Sequence, residues 1–342
     1  MSDLVRLLDR DPIAVDADGS WLTGRRVLVA GAGGSIGAEL CRQVAAYCPE
    51  LLVLLGRGES TLTATYQSTP GQRRVIALAD IRDESRMREV FAEHRPEVVF
   101  HAAALKHQPI LEREPAEAVK TNVWGTANVL AAAADAGTEV LVNISTDKAC
   151  DPTCVLGASK RTAERMTAWY GPRRWVSVRF GNVLGSRGSV LGVFARQLAA
   201  GEPLTITHPD VSRYFMTIPE AASLVIHAGA IGQPGEALVL DMGEPVKIAD
   251  LARCMAALMG IDPTIVYTGL RPGEKLHERL VGRAELAHRL HHPRIDHVQV
   301  PPLDPAHTVS IDVTALRARI TRQLSACCLL SASQPQPQEA TA

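Results

Sequence analysis

Basic residues are not in excess in this chain: 36 Lys and Arg stand against 37 Asp and Glu, a formal charge of −1 over 342 residues. Tracking a phosphate backbone requires a net positive surface, so the composition excludes a nucleic-acid partner. Small anionic ligands remain open, because they need only a few placed arginines. No apolar run approaches the ~20 residues of a membrane span; the alanine-rich run at 127–136 is short and polar at its ends, and no span is expected. The seven cysteines (Cys41, Cys48, Cys150, Cys154, Cys254, Cys327, Cys328) lack a paired framework spacing, and no secretory leader precedes them. A reducing, cytoplasmic setting follows as the expectation. Cys150 and Cys154 have no second pair of ligands nearby, so no metal site is expected. Internal repeats are also absent.

What is present is an alternation of short apolar runs with amphipathic ones. Runs at 26–30, 51–55, 74–79, 97–101, 139–145 and 174–180 read as buried strands, and 38–47, 83–94, 115–136 and 157–170 read as helices between them. That order predicts an α/β fold, a Rossmann-type doubly wound and mainly parallel sheet, with a smaller C-terminal substrate lobe. The expected division is an N-terminal arm over 1–23, a dinucleotide-binding core over 24–180, and a segment over 181–330 that is mainly substrate lobe with some return to the core. Helices in that last segment are expected at 189–200, 219–231 and 247–259. Residues 331–342 lack the apolar content to pack and are expected to be disordered.

Between the first strand and its helix lies Gly31-Ala32-Gly33-Gly34-Ser35-Ile36-Gly37. Glycines there let the chain turn tightly and bring a pyrophosphate up to backbone N–H groups at a helix N-terminus. Gly31, Gly34, Ser35, Ile36 and Gly37 are therefore candidate cofactor contacts. An NAD site usually carries an acid after the second strand to hold the adenosine ribose, whereas this chain has Gly56 and then Arg57, which tilts the expectation from NAD towards NADP. By position alone, Asp80 and Ile81 would flank the adenine, and Ala102 and Ala103 would pass beneath the cofactor. Further on, Ser145-Thr146-Asp147-Lys148 follows a strand, and Lys160 begins the next helix, so a hydroxyl, a carboxylate and two amines converge on the edge where open α/β sheets bind ligands. Taken alone, the same residues also read as a capped turn with a surface ion pair.

From about residue 8 to 295 the chain resembles the extended short-chain dehydrogenases of the polysaccharide-biosynthesis group, the UDP-N-acetylglucosamine 4,6-dehydratases, and in particular the catalytic part of their membrane-anchored members. The resemblance is carried by Val29–Gly37, His101-Ala-Ala-Ala-Leu-Lys-His107, Ser145–Ala149, Val178–Ser189, His208–Thr217 and Gly269-Leu-Arg-Pro-Gly-Glu-Lys-Leu276. It implies a nicotinamide cofactor, NAD or NADP, tightly bound and recycled, with Lys160 on its ribose and Lys106 and His107 bordering cofactor and sugar. Asn182, Arg213 and Arg271, with Glu274 in the same motif, would form the UDP-sugar subsite, where guanidinium groups suit a diphosphate. The implied reaction oxidises C4 of the sugar, removes H5, loses water from C6 and returns hydride to C6. Asp147 would be the acid for C6 and Lys148 the base for H5, which requires a protonated carboxyl and a neutral amine; burial or the charge of Lys160 would favour the latter.

The family's tyrosine four positions before the helix lysine is missing, and Leu156 stands in its place. Leucine neither donates nor accepts a proton, so Thr146 is expected to relay the C4 hydroxyl proton to water, Asp147 or the cofactor ribose. The resemblance to long members without the tyrosine implies retention at C5, and the family habit implies a homo-oligomer. Gly192, where the group commonly has proline, leaves the exact sugar open. A UDP-hexose 4-epimerase needs no acid at C6, so the Asp147-Lys148 pair argues against it. A non-catalytic dinucleotide or UDP-sugar sensor is the reading that Leu156 alone would support.

Overall fold

Seven parallel strands dominate a computed structural model that describes residues 18–71 and 73–329. They are β1 (Arg26–Ala30), β2 (Leu51–Gly56), β3 (Arg74–Leu78), β4 (Val98–His101), β5 (Val140–Ile144), β6 (Arg174–Arg179) and β7 (Glu236–Leu240). Their order across the sheet is β3-β2-β1-β4-β5-β6-β7, and an antiparallel hairpin, β8 (Ala287–His292) and β9 (Ile295–Gln299), extends it beyond β7. Chain direction along the sheet reverses between β1 and β4, which opens a crevice at their carboxyl ends.

Near-continuous apolar strands such as Val-Leu-Val-Asn-Ile in β5 are what a sheet covered on both faces requires. On one face Leu28, Val53, Val99 and Leu141 pack under Met87, Phe91, Leu130 and Met166; on the other Val29, Leu54, Phe100 and Val142 pack under Leu40, Val44, Leu224 and Ile226. The two edge strands are the exceptions, with Ile76 and Leu78 of β3 and Leu290 of β8 exposed. A separate small core of Leu184, Phe194, Leu204, Ile206, Phe215 and Leu251 holds the smaller lobe together. Thus 181–329 both builds that lobe and returns three strands to the large sheet. Residues 1–17 of the expected arm, and the expected disordered tail, lie outside the described residues; of the arm, Trp21 packs on Phe100 and Leu22 is buried.

The helices bear out the periodicity with local differences. α1 (Ser35–Ala46) starts three residues before its apolar pattern does. α2 (Glu59–Ser68) was not legible, since only Leu62 and Thr65 are buried in it. α3 (Glu84–His94) is capped by the Asp83 carboxylate, which accepts from Arg86 N. The single helix expected over 115–136 is instead one α-helical turn, Pro115–Ala118, a π-helical stretch Val119–Trp124 and then α4 (Gly125–Asp135). The widened turn presents Asn122, whose amide accepts from Leu105 N, donates to Leu105 O and donates to Ser159 Oγ, at 2.8, 3.0 and 3.0 Å. It thereby pins the loop after β4 to α5 (Val155–Trp169). A last helix, Arg317–Leu329, docks on α5, where Arg165 donates to the carbonyls of Pro301, Pro302, Cys327 and Cys328. No described helix is long and apolar enough to cross a membrane, and no cluster of three or more metal-ligating side chains occurs among the described residues.

Candidate active site

The glycine loop is shaped by contacts that only glycine permits. Gly31 sits at φ +82°, and a Cβ there would lie 2.6 Å from Ala103 N; a Cβ on Gly37 would run into Gly31 O. The backbone of β1 thus approaches the loop after β4 so closely that Ala102 and Ala103 form the floor beneath the turn. α1 begins with no side-chain cap, leaving its first N–H groups for an anion. Beside the loop is a cavity of about 210 Å³ lined by Gly31, Gly34, Gly56, Arg57, Asp80, Ile81, Ala102 and Ala103, and Arg57 Nη1 lies 3.5 Å from Asp80 Oδ2 there. The glycine cradle and uncapped helix end suit the diphosphate of a dinucleotide. The paired guanidinium and carboxylate suit its adenosine ribose.

A second cavity, of about 510 Å³, shares Gly34, Ala102, Ala104 and Leu105 with the first and continues to the end of β5. Ser35, Ile36, Gly37, Lys106, His107, Thr146, Lys148, Leu156, Lys160 and Asn182 line it. These residues, expected around cofactor and sugar, therefore share one continuous cleft, whereas Asp147, Arg213, Arg271 and Glu274 do not line it. α5 comes close to the turn at 147–149 because Gly157 has no side chain; a Cβ there would collide with Lys148 O.

At the start of that turn Thr146 is the N-cap: its Oγ1 accepts from Lys148 N at 3.4 Å and donates to Asp147 Oδ1 at 2.9 Å. Lys148 Nζ donates to the same Oδ1 at 2.9 Å and lies 3.6 Å from Glu278 Oε1. Asp147 is fully buried behind Thr146 and Lys148 instead of lining the cleft, and its Oδ2 has no hydrogen-bond partner among the described residues. Burial opposes a charge on Lys148, but the carboxylates of Asp147 and Glu278 outweigh it and hold the amine above its ordinary range. This corrects the expectation of a neutral Lys148. Lys160, by contrast, is pushed down to about 8 by burial, with Glu164 pulling the other way.

Ser145 has a different task from its neighbours. Its hydroxyl donates to Glu164 Oε1 at 2.6 Å, and Glu164 also receives Arg179 Nε and Nη2, each at 2.7 Å, within a buried network that takes in Arg161 and Glu285. Burial would raise the Glu164 carboxyl, yet Arg179 and Arg161 take it down to about 2. His101, at the end of β4, pairs with Thr126 Oγ1 at 3.0 Å and is pushed down to about 3 by burial and by the charge of Lys160.

The diphosphate candidates divide. Asn182 is on the cleft wall, whereas Arg213, Arg271 and Glu274 form a cluster of their own in the smaller lobe. Arg213 Nη2 pairs with Glu274 Oε1 at 3.0 Å, Thr207 Oγ1 donates to the same oxygen, and Glu274 Oε2 accepts from Arg271 N at 3.1 Å, leaving the Arg271 side chain exposed. Two residues of the site were given no role from the sequence, although Arg187 lies within the Val178–Ser189 block. Arg187 reaches back from the loop after β6, its guanidinium donating to Gly33 O and its backbone N–H to Ser35 Oγ at 3.1 Å, and it helps burial to lower the amine of Lys106. Glu278 lies 130 residues beyond Lys148 in the chain, so only the fold shows their contact.

The chain has relatives over most of its length. A family described as "Polysaccharide biosynthesis protein" matches residues 27–300. The chain is 47% identical over 293 residues to the "Probable polysaccharide biosynthesis protein EpsC" of Bacillus subtilis, covering 82% of this chain and 49% of that protein, so it spans about half the length of this curated relative. The X-ray structure of Pen from Bacillus thuringiensis superposes with a TM-score of 0.76 at 32% identity, covering 83% of this chain and 92% of that one. DesIV of Streptomyces venezuelae, a dTDP-glucose 4,6-dehydratase crystallised with NAD, shares the fold with a TM-score of 0.67 at 21% identity over 75% of this chain and 88% of that one. With its glycine cradle, its strand order and this match over residues 27–300, the chain belongs to the polysaccharide biosynthesis protein family, on the extended short-chain dehydrogenase fold.

Proposed function

We propose that the chain is a nucleotide-sugar 4,6-dehydratase acting on UDP-N-acetylglucosamine to give UDP-2-acetamido-2,6-dideoxy-4-hexulose. The observation that carries this is the Asp147–Lys148 contact at the carboxyl end of β5, whose Lys148 lines the cleft that begins at the glycine cradle while Asp147 lies directly behind it. Gly31, Gly34, Ser35, Ile36 and Gly37 would hold the diphosphate of a nicotinamide dinucleotide, Asp80, Ile81 and Arg57 its adenosine end, and Lys160 its second ribose. When bound, that group would supply the hydride acceptor for C4 and the donor for C6. Arg57 supports a preference for NADP, although Asp80 offers a hydroxyl acceptor at the same spot; comparing the dissociation constants of the two dinucleotides decides it.

Elimination needs one group that gives a proton to the C6 oxygen and another that takes H5. As an ion pair, Asp147 and Lys148 hold a single proton between them, and moving it along their 2.9 Å contact yields the carboxylic acid and free amine that the step requires. That transfer itself needs no exchange with solvent. Thr146 fastens the shared Oδ1 and so fixes the line of that transfer. Of the pair only Lys148 reaches the cleft wall, so the same amine would remove and return the proton at C5 on one face, supporting retention. Asn182 would meet the diphosphate in the cleft, and Arg213 and Arg271 would do so from the neighbouring cluster.

The full burial of Asp147 favours one rival, a 4-epimerase, which has no use for an acid at C6. Incubating the protein with UDP-N-acetylglucosamine and dinucleotide and weighing the product separates them. Loss of one water supports dehydration, an isomer of unchanged mass supports epimerisation, and tight binding without turnover leaves a sensor.

A further inference from the structure

We propose that Lys160, besides meeting the ribose, is the base that takes the proton from the C4 hydroxyl, filling the place of the absent phenol. The assignment rests on the C4-oxidising reading above. Leu156 lines the cleft and has nothing to accept a proton. None of the five tyrosines lines it: Tyr66 lies under Arg74, Tyr170 against Trp175, Tyr47 and Tyr214 pack against the core, and Tyr267 is exposed. Lys160 stands one helical turn after Leu156, on the same face of α5 and on the same cleft.

The other amines of the cleft are engaged. Lys148 is held by Asp147 and Glu278, and Lys106 Nζ donates to Ser186 Oγ at 3.4 Å. Lys160 is only 4% exposed, yet no hydrogen bond or ion pair of its Nζ is found among the described residues. Thr146 has given its proton to Asp147 and its lone pair to Lys148 N, which leaves its hydroxyl a weak candidate. The charged and titratable groups facing Lys160 are Glu164 on its own helix, which Arg179 and Arg161 neutralise, and His101 on β4, which is neutral. Nothing nearby therefore compensates an ammonium there, and burial brings the amine to about 8, where a free base is populated at neutral to mildly alkaline pH.

In the step itself the O–H bond at C4 breaks and its proton forms a new N–H bond on the neutral amine of Lys160. The O–H electron pair becomes the second bond of the carbonyl, and a bound oxidised nicotinamide dinucleotide would supply the acceptor for the C4 hydrogen and its electron pair. A full dehydration leaves Lys160 with one proton more and the Asp147–Lys148 pair with one fewer, Asp147 a carboxylate again and Lys148 a free amine. Exchange with water in the cleft restores both.

Lys160→Arg keeps a cation for the ribose and removes an amine that titrates in this range, and Lys160→Ala opens room for an added amine. By NMR of isotope-labelled lysine, one amine should titrate near 8 in the wild-type protein and vanish in Lys160→Arg; no lysine titrating below about 10 overturns the assignment whatever the activity. With UDP-N-acetylglucosamine, turnover should rise with pH to a plateau above about 8, fall about 100-fold or more in Lys160→Arg with dinucleotide affinity within a few-fold, and recover in Lys160→Ala on adding small primary amines. Should the wild type make product and Lys160→Arg keep its rate and its pH limb, Lys160 loses this role and the dehydratase reading stands. If the dinucleotide-loaded wild type neither forms product nor shows reduced nicotinamide absorbance with the sugar nucleotide, both readings fall.

Discussion

Arg179 is the residue whose loss should reach furthest into the fold. Its guanidinium, with no side-chain exposure, donates to both oxygens of Glu164 and both of Glu285, at 2.6–2.8 Å. Arg179→Leu leaves Glu164 buried with only Arg161 and Ser145, and removing one partner of a buried pair costs about 3–5 kcal/mol. The carboxyl itself gives a consistent figure. A fall from 4.5 to about 2 on folding corresponds to about 3 kcal/mol. A folded-state value below the unfolded one adds stability above pH 4.5, and that contribution is lost as pH falls through about 2. An unfolding entropy of about 2.1 cal/mol/K per residue gives a chain of 342 residues about 0.7 kcal/mol/K, so Tm should drop by roughly 4–7 °C at pH 7. Circular dichroism melts of both proteins from pH 7 towards the acid limit of reversibility test this. A drop under about 1 °C, or a difference that stays constant as pH falls below 4.5, would refute the account.

Three further substitutions probe the cleft. Asp147→Asn should abolish water loss from UDP-N-acetylglucosamine while dinucleotide affinity changes by less than a few-fold; full turnover in that variant removes the acid role. Gly31→Ala puts a Cβ against Ala103 N at a left-handed φ, so dinucleotide binding by fluorescence titration should weaken at least tenfold, with unaltered affinity the contrary result. In Glu278→Gln, one of the two carboxylates that raise Lys148 is gone. The Lys148 amine should then titrate lower by NMR, and the stability it adds, present below 10.5 and lost as pH rises through its folded value, should disappear at a lower pH than in the wild type.

Much of the architecture was readable because parallel strands buried on both faces are unbroken apolar runs: β1, β2 and β5 stand out in the bare chain. α2 did not, since a threonine-rich segment with two buried residues leaves almost no periodic trace. The π-helical stretch at Val119–Trp124 was equally hidden, because a one-residue change of period is decided by what Asn122 binds, not by its neighbours in sequence. In the site, Thr146, Lys148, Lys160 and Asn182 could be placed from motif and strand end. The charge on Lys148 could not, because it depends on Glu278, and neither could the bracing role of Ser145, which depends on Arg179.

Arg187 gives the loop after β6 a latch: tied to Gly33 and Ser35, it fastens part of the smaller lobe to the turn that would carry the dinucleotide's phosphates. A redox carrier seated beneath such a latch would be slow to depart, which would be a handicap for an enzyme that must swap spent carrier for fresh. Chemistry that borrows a hydride and gives it back within one turnover would have no such need, and for it the latch would keep the reduced carrier in place until the hydride is returned.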